Sequence, residues 1–152
     1  MLAIEWFWTP ILTGADFKYL NAFSNTSNPI SSAIALAKEG VSLDSGAPYA
    51  ILALAQSYGH AKQLSEIPPL LTQAQQMEGF LCPYETAITY LLIDQTTKAF
   101  ELFNDAVNYR SNCLVFTRND PRLDPIRRDP RFLALLTRIG LDDNAIRQYP
   151  RN

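Results

Sequence analysis

The side chains in this sequence best suited to bind a metal or attack a bond are its single histidine, His60, and its two cysteines, Cys82 and Cys113. A zinc site gathers three or four nitrogen, thiolate or carboxylate donors. His60 has no second histidine to join it, and Cys82 lies 22 residues away, so no metal site is expected. His60 reads as a helix-end residue near solvent. Cys82 opens one expected helix and Cys113 follows the end of the next, which lets the two sulfurs approach. A disulfide and two separate thiols in a reducing compartment both stay open. The sequence holds no Gly-rich phosphate loop, no G-x-S-x-G and no H-E-x-x-H, the motifs that would supply phosphate binding, a serine nucleophile or a zinc protease. Glu66, Glu78, Glu85 and Glu101 fall on polar helix faces, where solvated surface is expected. No catalytic residue and no cofactor is expected.

The chain has 152 residues, 47% apolar and 18% charged, with a formal charge of −2. That is one domain's worth, able to bury a core without disulfide staples, and too apolar to stay disordered. It contains no run of eighteen apolar residues, so membrane insertion is not expected. The apolar stretch Met1–Leu12 lacks basic residues and contains Glu5 and Pro10, which argues against a secretory signal or anchor. A cytoplasmic location is expected, with the periplasm as the alternative. Trp6, Phe7 and Trp8 stand in a row. They either cover a neighbouring helix pair or make a homo-oligomer contact.

Charge is unevenly distributed. Residues 110–152 hold all nine arginines and five aspartates, whereas residues 1–109 hold the four lysines and ten acidic residues. Pairing of the arginines with the interleaved Asp120, Asp124 and Asp129 is the expected outcome. Without interleaved aromatic residues or a nucleic-acid-binding motif, nucleic acid is disfavoured as a partner.

Apolar residues recur at spacings of three and four, the helical period, and sustained alternation is absent. Helices are expected at 15–24, 29–41, 47–59, 68–77 (starting near Ile67), 83–93 and 96–109. Pro68 and Pro69 are compatible with a helix only in its first turn. Asp129 reads as an N-cap, Pro130 as the first helical residue, Phe132, Leu135, Leu136 and Ile139 as one apolar stripe, and Gly140 as the terminator. Asp120-Pro121 and Asp124-Pro125 signal short turns leading to that helix.

The helix pairs are self-similar. Ala55, Tyr58 and Ala74 recur 32 residues later as Ala87, Tyr90 and Ala106, and Leu71 recurs as Phe103. Leu20-Asn21 precedes Leu54-Ala55 by 34 residues. Small residues where two helices cross, with a ring filling the gap a turn later, permit close antiparallel packing. Two helices in a period of 32–34 residues is the pattern of tetratricopeptide arrays.

Residues 48–141 resemble the last repeats of a tetratricopeptide-repeat protein. The resemblance is carried by Pro83-Tyr84-Glu85-Thr86-Ala87-Ile88-Thr89-Tyr90 followed by Lys98-Ala99-Phe100-Glu101-Leu102-Phe103-Asn104-Asp105-Ala106. The stretch from Arg110 to Phe132 resembles the terminal cap of bacterial tetratricopeptide segments attached to winged-helix regulators or nucleotide cyclases. This likeness implies an all-α fold of tandem antiparallel helix pairs wound into a right-handed superhelix. It divides the single domain into a degenerate repeat (14–46), two repeats (47–78 and 79–112) and a cap (113–141).

In such arrays the first helix of each pair lines a concave face that takes an extended peptide or a helix. Carried onto this chain, the partner-binding places are Tyr49, Leu52, Gln56 and His60, then Tyr84, Ile88, Leu91 and Leu92. The second set is apolar where an exposed face would be polar, so it is covered by the cap, the N-terminal segment or a second copy, or it receives an apolar partner segment. Lys62 and Lys98 fall in turns between helices, which argues against a clamp for a peptide carboxylate. The expected function is a non-catalytic protein-interaction module binding a protein or peptide. The alternative is an effector-sensing domain of a transcriptional regulator with a small ligand in the groove.

Overall fold

The computed structural model describes residues 29–44, 47–78 and 81–148. These form seven α-helices and no strand: α1 (Pro29–Leu43), α2 (Pro48–His60), α3 (Ile67–Gln76), α4 (Pro83–Leu91), α5 (Thr96–Asn108), α6 (Pro130–Arg138) and α7 (Asp143–Arg147). Short 3₁₀ turns occupy Leu64–Glu66, Asn112–Phe116 and Pro121–Ile126. The helix expected at 15–24 and the Trp6-Phe7-Trp8 run lie outside the described residues. The chain separates into two compact units, residues 1–79 and 80–152.

Proline sets most helix starts. Pro48, Pro83 and Pro130 each follow an extended residue (Ala47, Cys82 and Asp129) and occupy the first helical turn. There the missing N–H has no partner to lose, and the fixed φ already matches the helix. Pro68 and Pro69 likewise sit in the first turn of α3. Asp129 completes the start of α6 by accepting the Arg131 backbone N–H, and Asp142 caps α7 by accepting those of Asn144 and Ala145. The α7 helix was not among the expected elements.

Four helices end in one way. Lys62, Asp94, Arg110 and Gly140 adopt left-handed φ of 60°, 58°, 52° and 71°. In each case the residue's N–H reaches a carbonyl three residues back, and the next N–H reaches one five back. Lys62 bonds Gly59 and Gln63 bonds Tyr58, while Asp94 bonds Leu91 and Gln95 bonds Tyr90. Arg110 and Ser111 repeat the pattern on Val107 and Ala106, and Gly140 and Leu141 on Thr137 and Leu136. This is the Schellman arrangement, which satisfies carbonyls left open at a helix end.

In the first unit α2 packs against α1 and against α3. Ile51, Leu52, Leu54 and Ala55 of α2, Ile67, Leu71 and Ala74 of α3, and Ala33 and Ala37 of α1 are all buried. In the second unit α4 and α5 form an antiparallel pair whose core holds Tyr84, Ala87, Ile88, Ala99, Phe100, Phe103 and Ala106. The segment after α5 extends this same core through Leu114, Leu123, Ile126, Phe132, Leu135 and Leu136. Full burial of a large apolar side chain contributes about 1.5–3 kcal/mol, so this C-terminal segment is an integral part of its unit.

The residues that recur at 32-residue spacing occupy matching environments. Ala55 and Ala87 are buried, as are Ala74 and Ala106, and Leu71 and Phe103. Tyr58 and Tyr90 are both half-buried. A further match emerges in the structure, where buried Ser57 and Thr89 each donate a hydroxyl hydrogen bond to the carbonyl four residues back (2.8 and 2.9 Å).

Candidate interaction surface

The eight residues expected to face a partner divide sharply by exposure. On α2, Tyr49 is 41% exposed, Gln56 is half-buried and His60 is exposed. Leu52, on the same stripe, is buried. On α4, Tyr84 and Ile88 are buried at 1% and 2% exposure, whereas Leu91 and Leu92 are half-buried. An open apolar face over Tyr84 and Ile88 is therefore not what the structure contains. Every residue from Pro83 to Thr89 is buried, so this stretch of α4 has no solvated stripe. Of that apolar set, Tyr84 and Ile88 are covered and Leu91 and Leu92 are partly open.

Tyr84 shows how a polar ring tolerates this. Its ring meets Phe103 in an edge-to-face contact with centroids 5.6 Å apart. Its hydroxyl donates to Asp120 Oδ2 at 2.8 Å. Burial and the adjacent Asp120 charge push the Tyr84 pKa well above its ordinary value, keeping it a hydroxyl.

Asp120 belongs to a buried charged clamp. It is 2% exposed, and Glu85 on α4 is 4% exposed. Arg122 lies between them. Its Nη1 and Nη2 donate to the two Glu85 carboxylate oxygens at 2.8 and 3.1 Å. Its Nη2 also donates to Asp120 Oδ2 at 2.8 Å, and its Nε to Asp120 Oδ1 at 3.0 Å. Asp120 also accepts the backbone N–H of Arg122 at 2.9 Å, so one carboxylate caps the 3₁₀ turn and holds the guanidinium. Burial works against the Asp120 charge, but hydrogen bonds and charge from Arg122 outweigh it and hold the carboxyl below 3.8. Burial opposes the Arg122 charge too, and its two carboxylate partners raise its pKa nonetheless.

Glu85 is thus a correction to the reading that placed it on a solvated face with Glu66, Glu78 and Glu101, which are exposed. The signal in the sequence is faint. Arg122 follows an Asp-Pro turn whose carboxylate it can grip locally, but its second partner is 37 residues away.

Four further C-terminal arginines, Arg118, Arg127, Arg131 and Arg138, are also engaged. Arg118 donates to the Leu141 carbonyl at 2.8 Å and pairs with Asp143. Arg127 pairs with Asp124 at 2.5 Å and donates to the Arg118 and Asp120 carbonyls at 2.6 and 3.0 Å. Arg131 pairs with Asp129 at 2.7 Å and lies 4.3 Å from the centre of the Phe100 ring. Arg138 donates to the side-chain carbonyls of Asn104 and Asn108. The expected pairing with Asp120, Asp124 and Asp129 is what these contacts show.

Among the described residues, no group of three or more His, Cys, Asp or Glu side chains is placed to hold a metal ion. No helix among them is long and apolar enough to cross a membrane. Cys82 and Cys113 are free thiols with their sulfurs 3.8 Å apart, so the two meet as their helical positions suggested. An open depression of about 360 Å³ at the start of α5 is lined by Asp94, Gln95, Thr96, Thr97, Lys98 and Glu101, with Lys98 and Glu101 paired at 2.9 Å. No protein-family model matches the chain, and neither a curated protein nor a solved structure matches it.

Proposed function

We propose that the chain is a non-catalytic, cytoplasmic protein-interaction module built as a short tetratricopeptide-like array. Helix α2 of the first unit offers Tyr49, Gln56 and His60 to a protein or peptide partner, and the second unit by itself offers Leu91 and Leu92 at the end of α4. Leu52 in the first unit and Tyr84 and Ile88 in the second are buried in their own units and do not touch the partner. The observation that carries this reading is the recurrence at 32 residues. It pairs Ala55 with Ala87, Ala74 with Ala106 and Ser57 with Thr89, each pair buried alike, and it pairs the left-handed turn residues Lys62 and Asp94. Arrays of equal hairpins act by holding a surface in place, and their function is recognition without turnover.

The test is affinity capture from the native cell with the full chain and a Tyr49→Ala/His60→Ala variant. The variant is expected to keep the helical circular dichroism signal and to lose at least about tenfold of the captured partner, the equivalent of about 1.4 kcal/mol. Equal capture by both proteins places the surface elsewhere. A metabolite that raises the melting temperature, with no captured protein, favours the effector-sensing alternative, because a ligand binding only the folded state must stabilise it.

A further inference from the structure

Cys82 and Cys113 are 31 residues apart in the chain, yet their sulfurs approach to 3.8 Å. A disulfide needs about 2.05 Å between sulfurs, so closure requires a shift of under 2 Å. Cys82 is the N-cap of α4, two and three residues before Tyr84 and Glu85. Cys113 lies in the 3₁₀ turn between α5 and Asp120. A bond between them would join the start of α4 to the segment that leads into the capping sequence. Cys82 is buried and Cys113 only partly so, which makes Cys113 the sulfur a reagent reaches first.

We propose that Cys82 and Cys113 form a reversible dithiol–disulfide pair, oxidised by low-molecular-weight disulfides. In the first step the pair gives up one proton, Cys82 keeps the other, and the Cys113 thiolate attacks a small disulfide RS–SR. The departing RS⁻ takes up the released proton, leaving a Cys113–S–SR mixed disulfide and one RSH. In the second step the Cys82 sulfur attacks Cys113 Sγ, the S–SR bond breaks, and the second RS⁻ takes the proton that Cys82 gives up. The two cysteines lose two electrons and two protons, and one RSSR becomes two RSH. The geometry is supported by the acidity of the pair. A hydrogen bond from Cys113 lowers the Cys82 thiol to about 6 despite its burial, and the same contact pushes Cys113 up. One proton leaves the pair readily, which supplies the thiolate that the first attack needs.

The experiment equilibrates the full chain in mixtures of reduced and oxidised glutathione, in native buffer and in concentrated guanidinium chloride. Acid quenching, alkylation and mass spectrometry follow. Native protein is expected to form an intramolecular 82–113 bond, about 2 Da lighter, with an equilibrium constant at least ~100-fold above that in guanidinium. The oxidised protein is expected to melt roughly 5–15 °C higher. Cys113→Ser should remove both the bond and the shift. A native chain that carries glutathione on either cysteine without closing the bond overturns the proposal. So does a covalent dimer, or a native equilibrium constant no greater than the denatured one. The native-to-denatured comparison uses the unaltered chain, so it stands even if a variant fails to fold.

Discussion

Asp120-Pro121-Arg122 and Asp129-Pro130-Arg131 are the same tripeptide nine residues apart, and locally they do the same thing. Each aspartate accepts the arginine backbone N–H (2.9 and 2.8 Å) and then the guanidinium of that same arginine (2.8 and 2.7 Å). Their surroundings differ. Arg122 continues inward to Glu85 and leaves only a fifth of its side chain exposed, while Arg131 lies across Phe100 with nearly half of its side chain in solvent. The Asp-Pro-Arg sequence specifies a cap and a turn. Whether that turn carries tertiary stability depends on a carboxylate elsewhere in the fold.

Breaking the clamp should give the largest effect. Arg122→Ala leaves two buried carboxylates facing each other, and is expected to destabilise the second unit by about 3–5 kcal/mol, read by urea unfolding of the full chain followed at 222 nm. Arg131→Ala, tested the same way, should move the midpoint little, because an exposed pair gains almost nothing over water. Equal effects at the two positions would erase the distinction between the triplets.

Tyr84→Phe sharpens the comparison, since it removes one donor to Asp120 and leaves the ring packing on Phe103. The expected loss is about 1.5–3 kcal/mol, the range for hydrogen bonds to charged groups.

Acid should act in the same direction. The folded Asp120 carboxyl is depressed below 3.8, so its contribution is complete above that value and disappears as pH falls through the lower folded pKa. Asp129, Asp142 and Asp143 are depressed too, the first by Arg131, the second by the Ala145 backbone N–H and the third by Arg118. The melting temperature is expected to hold from about pH 7 to 5 and drop below about pH 4, with a shallower drop in Asp120→Asn than in the unaltered chain.

The smallest predicted effects are gains. Lys62→Gly, Asp94→Gly and Arg110→Gly each relieve a left-handed residue, and each should stabilise the chain by about 0.5–1 kcal/mol in thermal melts.

Much of the helical plan was legible because it is written in local chemistry. Prolines in first turns, the Asp129 cap and Gly140 place helix ends within two residues of those observed. The alanines at 32-residue spacing also reported their own burial, since a small side chain suits a close helix crossing. Three features were hidden for physical reasons. A helical period identifies an apolar stripe on a helix that has a wet side, but Pro83 to Thr89 has none, so the places carried over from tetratricopeptide arrays put Tyr84 and Ile88 on a face that could equally be covered or open. Glu85 was misread because its partner, Arg122, is a long-range contact that no spacing announces. The left-handed turns were masked as well, because Lys62, Asp94 and Arg110 occupy places where glycine would have signalled them.

The most direct test of the buried clamp is a double-mutant cycle between Glu85 and Arg122, using Glu85→Gln, Arg122→Ala and the double variant in urea unfolding. A clamp predicts strong coupling, with the double variant less destabilised than the two single losses added, by at least about 1.5 kcal/mol. Additivity within about 0.5 kcal/mol would show that the two side chains do not act together, and would contradict the account.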